Sequence, residues 1–335
     1  MTGPLHAATP APAPPGATPP PPAGVPPKPG PAAAPGSARS PAPAPDEALV
    51  ALLFALADDE LIAGHRASEW TGVAPFLEED VAFSSIAQDE VGHGALLYQL
   101  LADLGHGGGD PDALAFGRGP DGFRNAILLE QPNGDWAAEI ARHFLYNEYE
   151  GVLWPAVAGS PYEPLAAAAA RIAREEAYHR AHFRQWVVEL GRAGGEARDR
   201  LAAALARVLP LAAGLFEPLE HEDRAAHWRG ITLAELQAAW RAEVGKVLEQ
   251  AGLAGAAAGR AGGVAGMQPT APQMAALTQG GDRDAAVDQR GVDEPGWEEA
   301  GPEGLGGRQG RHSPALRELL DEMTSVYRSE PGAEW

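Results

Sequence analysis

The stretch FSSIAQDEVGHGALLYQLLADL, residues 83–104, decides the fold. Phe83, Ile86, Leu97, Leu100 and Leu104 recur at steps of three or four, the repeat of one helix face. In the middle of that face stand Glu90 and His93, where an amphipathic helix would carry aliphatic side chains. Three residues apart, both point the same way. Ionisable groups turned toward a core are costly unless they are paired or bound to a metal, so this stretch needs partners.

A second stripe supplies the same pair. Leu165, Ala169, Ile172, Glu176, His179, Phe183, Trp186 and Leu190 share one face, closed by Gly191, and the motif is Glu176-Ala177-Tyr178-His179. Two further stripes each carry one inward glutamate. One reads Leu49, Leu53, Leu56, Glu60, Ala63, Ala67; the other reads Ala137, Ala141, Phe144, Glu148, Val152, and Pro155 is expected to end it. Glu60 precedes Glu90 by 30 residues and Glu148 precedes Glu176 by 28, one helix plus a turn in each half. A glutamate from each of two helices and Glu-x-x-His from each of the other two is the ligand set of ferritin-like di-iron or di-manganese carboxylate bundles.

The expected fold is therefore all-α, a ferritin-like four-helix bundle with additional C-terminal helices. Its expected metal ligands are Glu60, Glu90, His93, Glu148, Glu176 and His179, holding two iron ions, with no catalytic residue beyond them. Oxygen-rich ligation suits such ions, and one imidazole per metal leaves coordination positions open. Asp89 and Glu175 immediately precede the motif glutamates, and each is expected to accept a hydrogen bond from the histidine of the opposite motif. Taken singly, a Glu-x-x-His in a glutamate-rich helix is most often a solvated face, and a lone inward glutamate is most often a misread phase. The joint occurrence carries the reading. His65, His106, His143, His182, His221, His227 and His312 fall off these stripes or in loops and read as surface or partner contacts; Trp70, Trp186 and Trp240 read as packing.

Around this core the chain changes character twice. Residues 1–45 hold 17 of the 32 prolines and no acid, a composition that favours extended polyproline and a disordered arm. Residues 46–253 form the bundle, which includes a helix from about Asp199 to Leu219. Another helix opens at Thr232, with Glu235 at capping-box spacing and Leu236, Trp240, Val244 and Val247 on its stripe. Residues 254–311 are Gly- and Ala-rich without periodicity and read as a flexible insertion. Residues 312–335 read as a C-terminal docking helix that starts at Ser313-Pro314, with Leu316, Leu319, Leu320, Met323 and Tyr327 on one side.

The whole chain of 335 residues has no cysteine, which excludes disulfides, cysteine-ligated zinc and a thiol nucleophile. Its net charge of −21 repels a phosphate backbone, so no nucleic-acid partner is expected. No apolar run reaches membrane-spanning length and no secretory leader stands at the start, so no membrane association and a cytoplasmic location are expected.

Several stretches away from the motifs resemble the PaaC subunit family of bacterial phenylacetyl-CoA oxygenase, the ring 1,2-epoxidase. They are Arg66-Ala67-Ser68-Glu69-Trp70, Glu79-Asp80-Val81-Ala82 through Ile86 to Asp89, and Leu129-Glu130-Gln131-Pro132-Asn133-Gly134. Tyr178-His179 with Phe183 and Trp186, Ala239-Trp240-Arg241-Ala242-Glu243-Val244 and the tail ending in Trp335 continue the likeness. It covers about residues 50–253 and returns at 310–335. The resemblance implies a helical subunit that pairs with a PaaA-like oxygenase subunit, together with a PaaB-like small subunit and a flavin and iron-sulfur reductase. That assembly adds one oxygen atom to the ring of phenylacetyl-CoA in phenylacetate breakdown. In the family the di-iron centre lies in PaaA, whereas PaaC has lost most ligands and acts as a structural partner. This chain departs from the pattern by keeping four glutamates and two histidines. A non-catalytic scaffold and a ferroxidase-type iron-binding bundle are the alternatives to a metal-competent subunit. Coenzyme A is a polyanion, and this acidic chain favours its docking on a partner or at a subunit boundary; Arg142, Arg171, Arg174 and Arg180 are the candidates for a local basic patch.

Overall fold

Polar side chains cap the starts of several helices. Asp46 accepts the Ala48 N–H at 2.8 Å, Asp135 accepts the Ala138 N–H at 2.9 Å, and Thr232 and Glu235 close a reciprocal capping box. The computed structural model describes residues 46–254 and 304–330; the proposed arm of 1–45 and most of the 254–311 segment lie outside the described residues. The described residues contain helices and no strand, as an all-α bundle requires. In chain order the α-helices are α1 (Glu47–Ser68), α2 (Leu77–Asp103), α3 (Pro111–Phe116), α4 (Ile127–Glu130), α5 (Trp136–Val157) and α6 (Glu163–Ala193). They continue with α7 (Gly195–Leu211), α8 (Glu222–Arg229), α9 (Leu233–Gln250), α10 (Pro314–Met323) and α11 (Ser325–Ser329). None of them is long and apolar enough to cross a membrane.

The four long helices that carry the motifs pair as α1 with α2 and α5 with α6, and α2 meets α6 across the middle. Short connections make each pair antiparallel. α1 and α2 approach closely because each offers a glycine at the crossing. A Cβ on Gly64 would lie 2.8 Å from Val91 Cγ2 and 3.0 Å from Glu90 Cβ, and one on Gly94 would lie 3.3 Å from the Leu61 nitrogen. These two contacts fix the separation of Glu60 from Glu90 and His93.

α5 is enclosed on all sides, with α6, α7 and α9 packed around it. Every residue from Ala137 to Glu150 is buried, so apolar periodicity cannot report which face looks into the bundle.

Several boundaries differ from the sequence reading. Pro155 lies within the last turn of α5, and the helix closes one turn later with the Ala158 N–H on the Trp154 carbonyl at 2.9 Å. Gly191 does not end α6. A Cβ there would stand 2.5 Å from the Ala251 carbonyl, so the glycine serves the contact with the end of α9, and α6 stops at Gly194 with φ +70°. The helix expected over Asp199–Leu219 spans Gly195–Leu211 and passes into a 3₁₀ turn, Ala212–Phe216. The tail helix does start with Pro314 after Ser313, but it breaks at Thr324, and Tyr327 lies on α11 with its ring against Phe116.

The largest correction concerns residues 304–311. Assigned by composition to the flexible insertion, they are built into the bundle, with Gly306, Gly307 and Arg308 buried. Arg308 donates to both Asp59 carboxylate oxygens at 2.9 and 2.7 Å, and Glu217 accepts the Gly306 and Arg308 N–H groups. His312, read as a surface or partner contact, has its side chain buried against Glu130, with Nδ1 2.7 Å from the carboxylate.

Candidate metal centre

The two Glu-x-x-His motifs face each other across the α2–α6 contact. His93 Nδ1 lies 3.1 Å from Glu60 Oε2 and 3.4 Å from Glu176 Oε1; His179 Nδ1 lies 3.1 Å from Glu176 Oε1 and 3.6 Å from Glu90 Oε1. Both rings therefore turn Nδ1 inward, and their centroids are 6.5 Å apart. One ligand-type atom from each of Glu60, Glu90, His93 and Glu176 falls within 4.8 Å of the others, all four residues being buried.

The outward nitrogens meet acids of the opposite motif. His93 Nε2 is 2.8 Å from Glu175 Oε2, and His179 Nε2 is 3.3 Å from Asp89 Oδ2. Each contact crosses from α2 to α6 and fixes the ring with Nδ1 toward the interior.

Glu148 does not join this group. It turns to the outer side of α6, where Arg180 donates at 3.0 and 2.8 Å and Arg184 reaches it through Nε and, at 2.7 Å, Nη2. Glu150 takes the position expected of Glu148. Its Oε1 accepts Trp154 Nε1 at 3.2 Å, and its other oxygen is buried without a partner. The two residues differ by 200° on the helix wheel, so an error of phase exchanges one for the other. The available signal was polar rather than apolar: His143, Asn147 and Glu150 repeat at steps of four and three along the inner face.

The electrostatics are those of four acids gathered in a low dielectric. Burial, followed by the charges of Glu150 and Glu90, holds Glu60 well above the usual carboxylate range. Glu150 is raised in the same way by burial and by Glu176, and Glu176 by burial and Glu90. Glu90 runs the other way: its burial is outweighed by the neighbouring imidazoles of His179 and His93, which keep it ionised. His179 is pushed up to about 11, its contacts with Glu176 and Glu90 overcoming burial.

Five carboxylate oxygens at this point are buried with no hydrogen-bond partner: Glu60 Oε1, Glu90 Oε1 and Oε2, Glu150 Oε2 and Glu176 Oε2. Orphaned buried acceptors each cost roughly 1–3 kcal/mol or more if charged, and five together from four helices are the donor set that a pair of hard cations takes. The cluster fits a metal. Away from it, the four arginines considered for a basic patch are separated. Arg142 is buried on Glu139, half-buried Arg180 pairs with Glu148 and Glu243, Arg171 faces Glu175, and Arg174 donates to the Ala170 carbonyl.

Comparison with known proteins agrees with this architecture. Residues 36–267 match the family model described as phenylacetic acid catabolic protein. The C subunit of the 1,2-phenylacetyl-CoA epoxidase of Escherichia coli (strain K12) is 29% identical over 289 residues, covering 86% of this chain and 99% of that protein.

Proposed function

The chain belongs to the phenylacetic acid catabolic protein family, and from that premise we propose that it is the C-type subunit of a 1,2-phenylacetyl-CoA epoxidase with a di-iron centre of its own. The five orphaned carboxylate oxygens carry this reading. Glu60, Glu90, His93, Glu150, Glu176 and His179 would hold the two irons, with Glu150 in place of Glu148. When bound, the iron pair supplies reduction of dioxygen and delivery of one oxygen atom to the aromatic ring.

The chain's own residues would orient and isolate that chemistry. Glu175 and Asp89 hold the two imidazoles with Nδ1 inward. Phe83, Phe183, Trp70 and Trp136 form an aromatic layer toward the start of α5, with ring centroids 5.1 to 6.1 Å apart, and exclude bulk water from that end. Electrons would come from a flavin and iron-sulfur reductase, and a PaaA-like oxygenase subunit and a PaaB-like small subunit would complete the assembly. With its arginines dispersed onto acids, this chain leaves the polyanionic coenzyme A to a partner or a subunit boundary. A cytoplasmic location follows from this role.

Iron per chain, measured on protein purified from iron-supplemented cells, tests the reading. About two irons are expected in the wild type, by the ligand count of such centres. Glu90→Ala with Glu176→Ala should abolish uptake, Glu150→Ala should impair it severely, and Glu148→Ala should leave it intact. A folded wild-type chain that takes up no iron would leave the subunit as a non-catalytic scaffold.

A further inference from the structure

The inner face of α5 carries a polar series that the metal ligands do not account for. Glu139, His143, Asn147 and Glu150 follow at steps of four, four and three, so they stand above one another along about 16 Å of helix. All four are buried. Glu150 marks the carboxylate end. At the other end, Glu139 Oε1 accepts the N–H of Gly134 at 3.2 Å, and Gly134 is an exposed residue of the connection before α5. The series thus runs from the surface to the centre.

Glu139 is ion-paired with Arg142, but the other three members are left wanting partners. His143 Nε2, both polar atoms of the Asn147 amide and Glu150 Oε2 are buried and unpartnered, and Glu139 Oε2 lies 3.9 Å from His143 Nε2. A gap of this size between polar groups one helical turn apart is one that a water can bridge. His143 also occupies an odd place for a polar ring. It stacks on Phe183 at 4.7 Å and receives the edge of Phe83 at 5.4 Å, inside the aromatic layer that closes the centre. Burial, aided by the charge of Arg142, holds its pKa down at about 3, so the ring is neutral and offers one N–H and one lone pair. A ring in that state can accept a proton at one nitrogen as it releases one from the other, which hydrocarbon cannot do.

We propose that Glu139, His143 and Asn147 bind a file of buried waters that conducts protons between the connection before α5 and the carboxylate centre. The role rests on the metal reading above, since adding one atom of dioxygen to substrate and releasing the other as water consumes two protons along with two electrons from the reductase. Each proton entering at Glu139 is matched by one leaving on the Asn147 side, so the file returns to its starting state. Asn147 positions water and does not itself change protonation.

The test is hydrogen exchange of the Asn147 side-chain amide, followed by NMR in the metal-free full chain and in His143→Phe. Hydrated access predicts that this amide exchanges on the order of a hundredfold faster than buried α5 backbone amides, whose protection approaches that of global unfolding. His143→Phe, which suits the Phe83 and Phe183 stack, should slow it by about tenfold or more and leave the backbone amides unchanged; His143→Gln should restore part of the rate. Protection of the wild-type amide equal to that of its backbone neighbours would overturn the proposal. So would a crystal structure showing no water within hydrogen-bond distance of His143 Nε2 and Asn147, a measurement that does not depend on how the variants fold. Iron uptake by a separate wild-type preparation separates the two readings: an exchanging file in a chain that takes up no iron sinks the metal assignment alone, and a dry file in a chain that does take up iron sinks the file alone.

Discussion

Asp59 and Glu60 are neighbours on α1, both buried, and they meet opposite environments. Asp59 looks toward the tail segment, where the Ala126 N–H at 2.8 Å and the two Arg308 contacts satisfy its oxygens. Glu130 and Glu217 on that side are equally well supplied, by Asn125, His312 and the Ser313 N–H in one case and by the Gly306 and Arg308 N–H groups in the other. Glu60 looks the other way, toward three more acids, and keeps an oxygen with no donor. A buried acid matched by donors of its own chain is part of the architecture. One left with orphaned oxygens is complete only when something else binds.

The sharpest way to break that comparison is to remove the donor from the satisfied side. Arg308→Met strands Asp59 in the interior and should cost about 3–5 kcal/mol of unfolding free energy, read by chemical denaturation. Asp59→Leu combined with Arg308→Met should recover most of the loss, because neither charge then remains to be solvated. A single variant as stable as wild type would mean that the tail segment is not held by this pair.

On the unsatisfied side the sign reverses. Glu150→Gln removes one of several mutually repelling carboxylates and should stabilise the metal-free chain by about 1–2 kcal/mol, the scale of an uncompensated buried polar group. The same change should abolish the stabilisation that iron confers on the wild type, about 2.7 kcal/mol at a hundredfold excess over the dissociation constant. Thermal unfolding with and without iron checks both. Destabilisation of the metal-free chain would show that Glu150 is architectural, like Asp59.

His143 sharpens the contrast, since it is buried and unsatisfied but uncharged. Below pH 6.5 the unfolded chain takes up a proton there that the folded chain refuses until about pH 3. Stability is therefore lost as pH falls through that window, at up to about 1.4 kcal/mol per pH unit, or roughly 2 kcal/mol between pH 6.5 and 5. His143→Gln should flatten that part of the stability profile by the same amount. An unchanged slope would place the wild-type imidazole in contact with a group that accepts its charge.

What the sequence made legible follows the same division. The motifs on α2 and α6 were readable because their helices are amphipathic, with one apolar face and one solvated face to fix the phase: Leu165, Ile172 and Phe183 are buried while Tyr178 is 83% exposed. α5 gave no such contrast, so the stripe through Ala137, Ala141, Phe144 and Glu148, which packs outward, looked as inward as the one through His143, Asn147 and Glu150. The tail segment was hidden for another reason. Gly304, Gly306, Gly307 and Gly310 look like linker, yet a Cβ on Gly307 would lie 2.2 Å from the Asn125 carbonyl, so the absent side chain is what lets the backbone enter the bundle. Composition reports flexibility there where the contacts require closeness.

The smallest effect belongs at the outer rim of α6, where acid and base are matched but water is near. Glu243 receives Lys246, Arg180 and Arg184, and the contacts with Lys246 and then Arg184 hold its carboxyl down at about 2. A depressed acid stabilises the fold above its unfolded pKa, near 4.3, and the contribution is lost as pH falls toward 2. Because three long side chains must be ordered and salt screens the pairs, Glu243→Gln should cost no more than about 0.5–1 kcal/mol at pH 7 and less in 1 M salt. Glu148 shares Arg180 and Arg184 but is wholly buried, so its loss should cost more than that of Glu243 and resist salt. Equal costs for the two would mean that the arginines, rather than the depth of the acid, set the energy, and the distinction drawn between Asp59 and Glu60 would then rest on donor count alone.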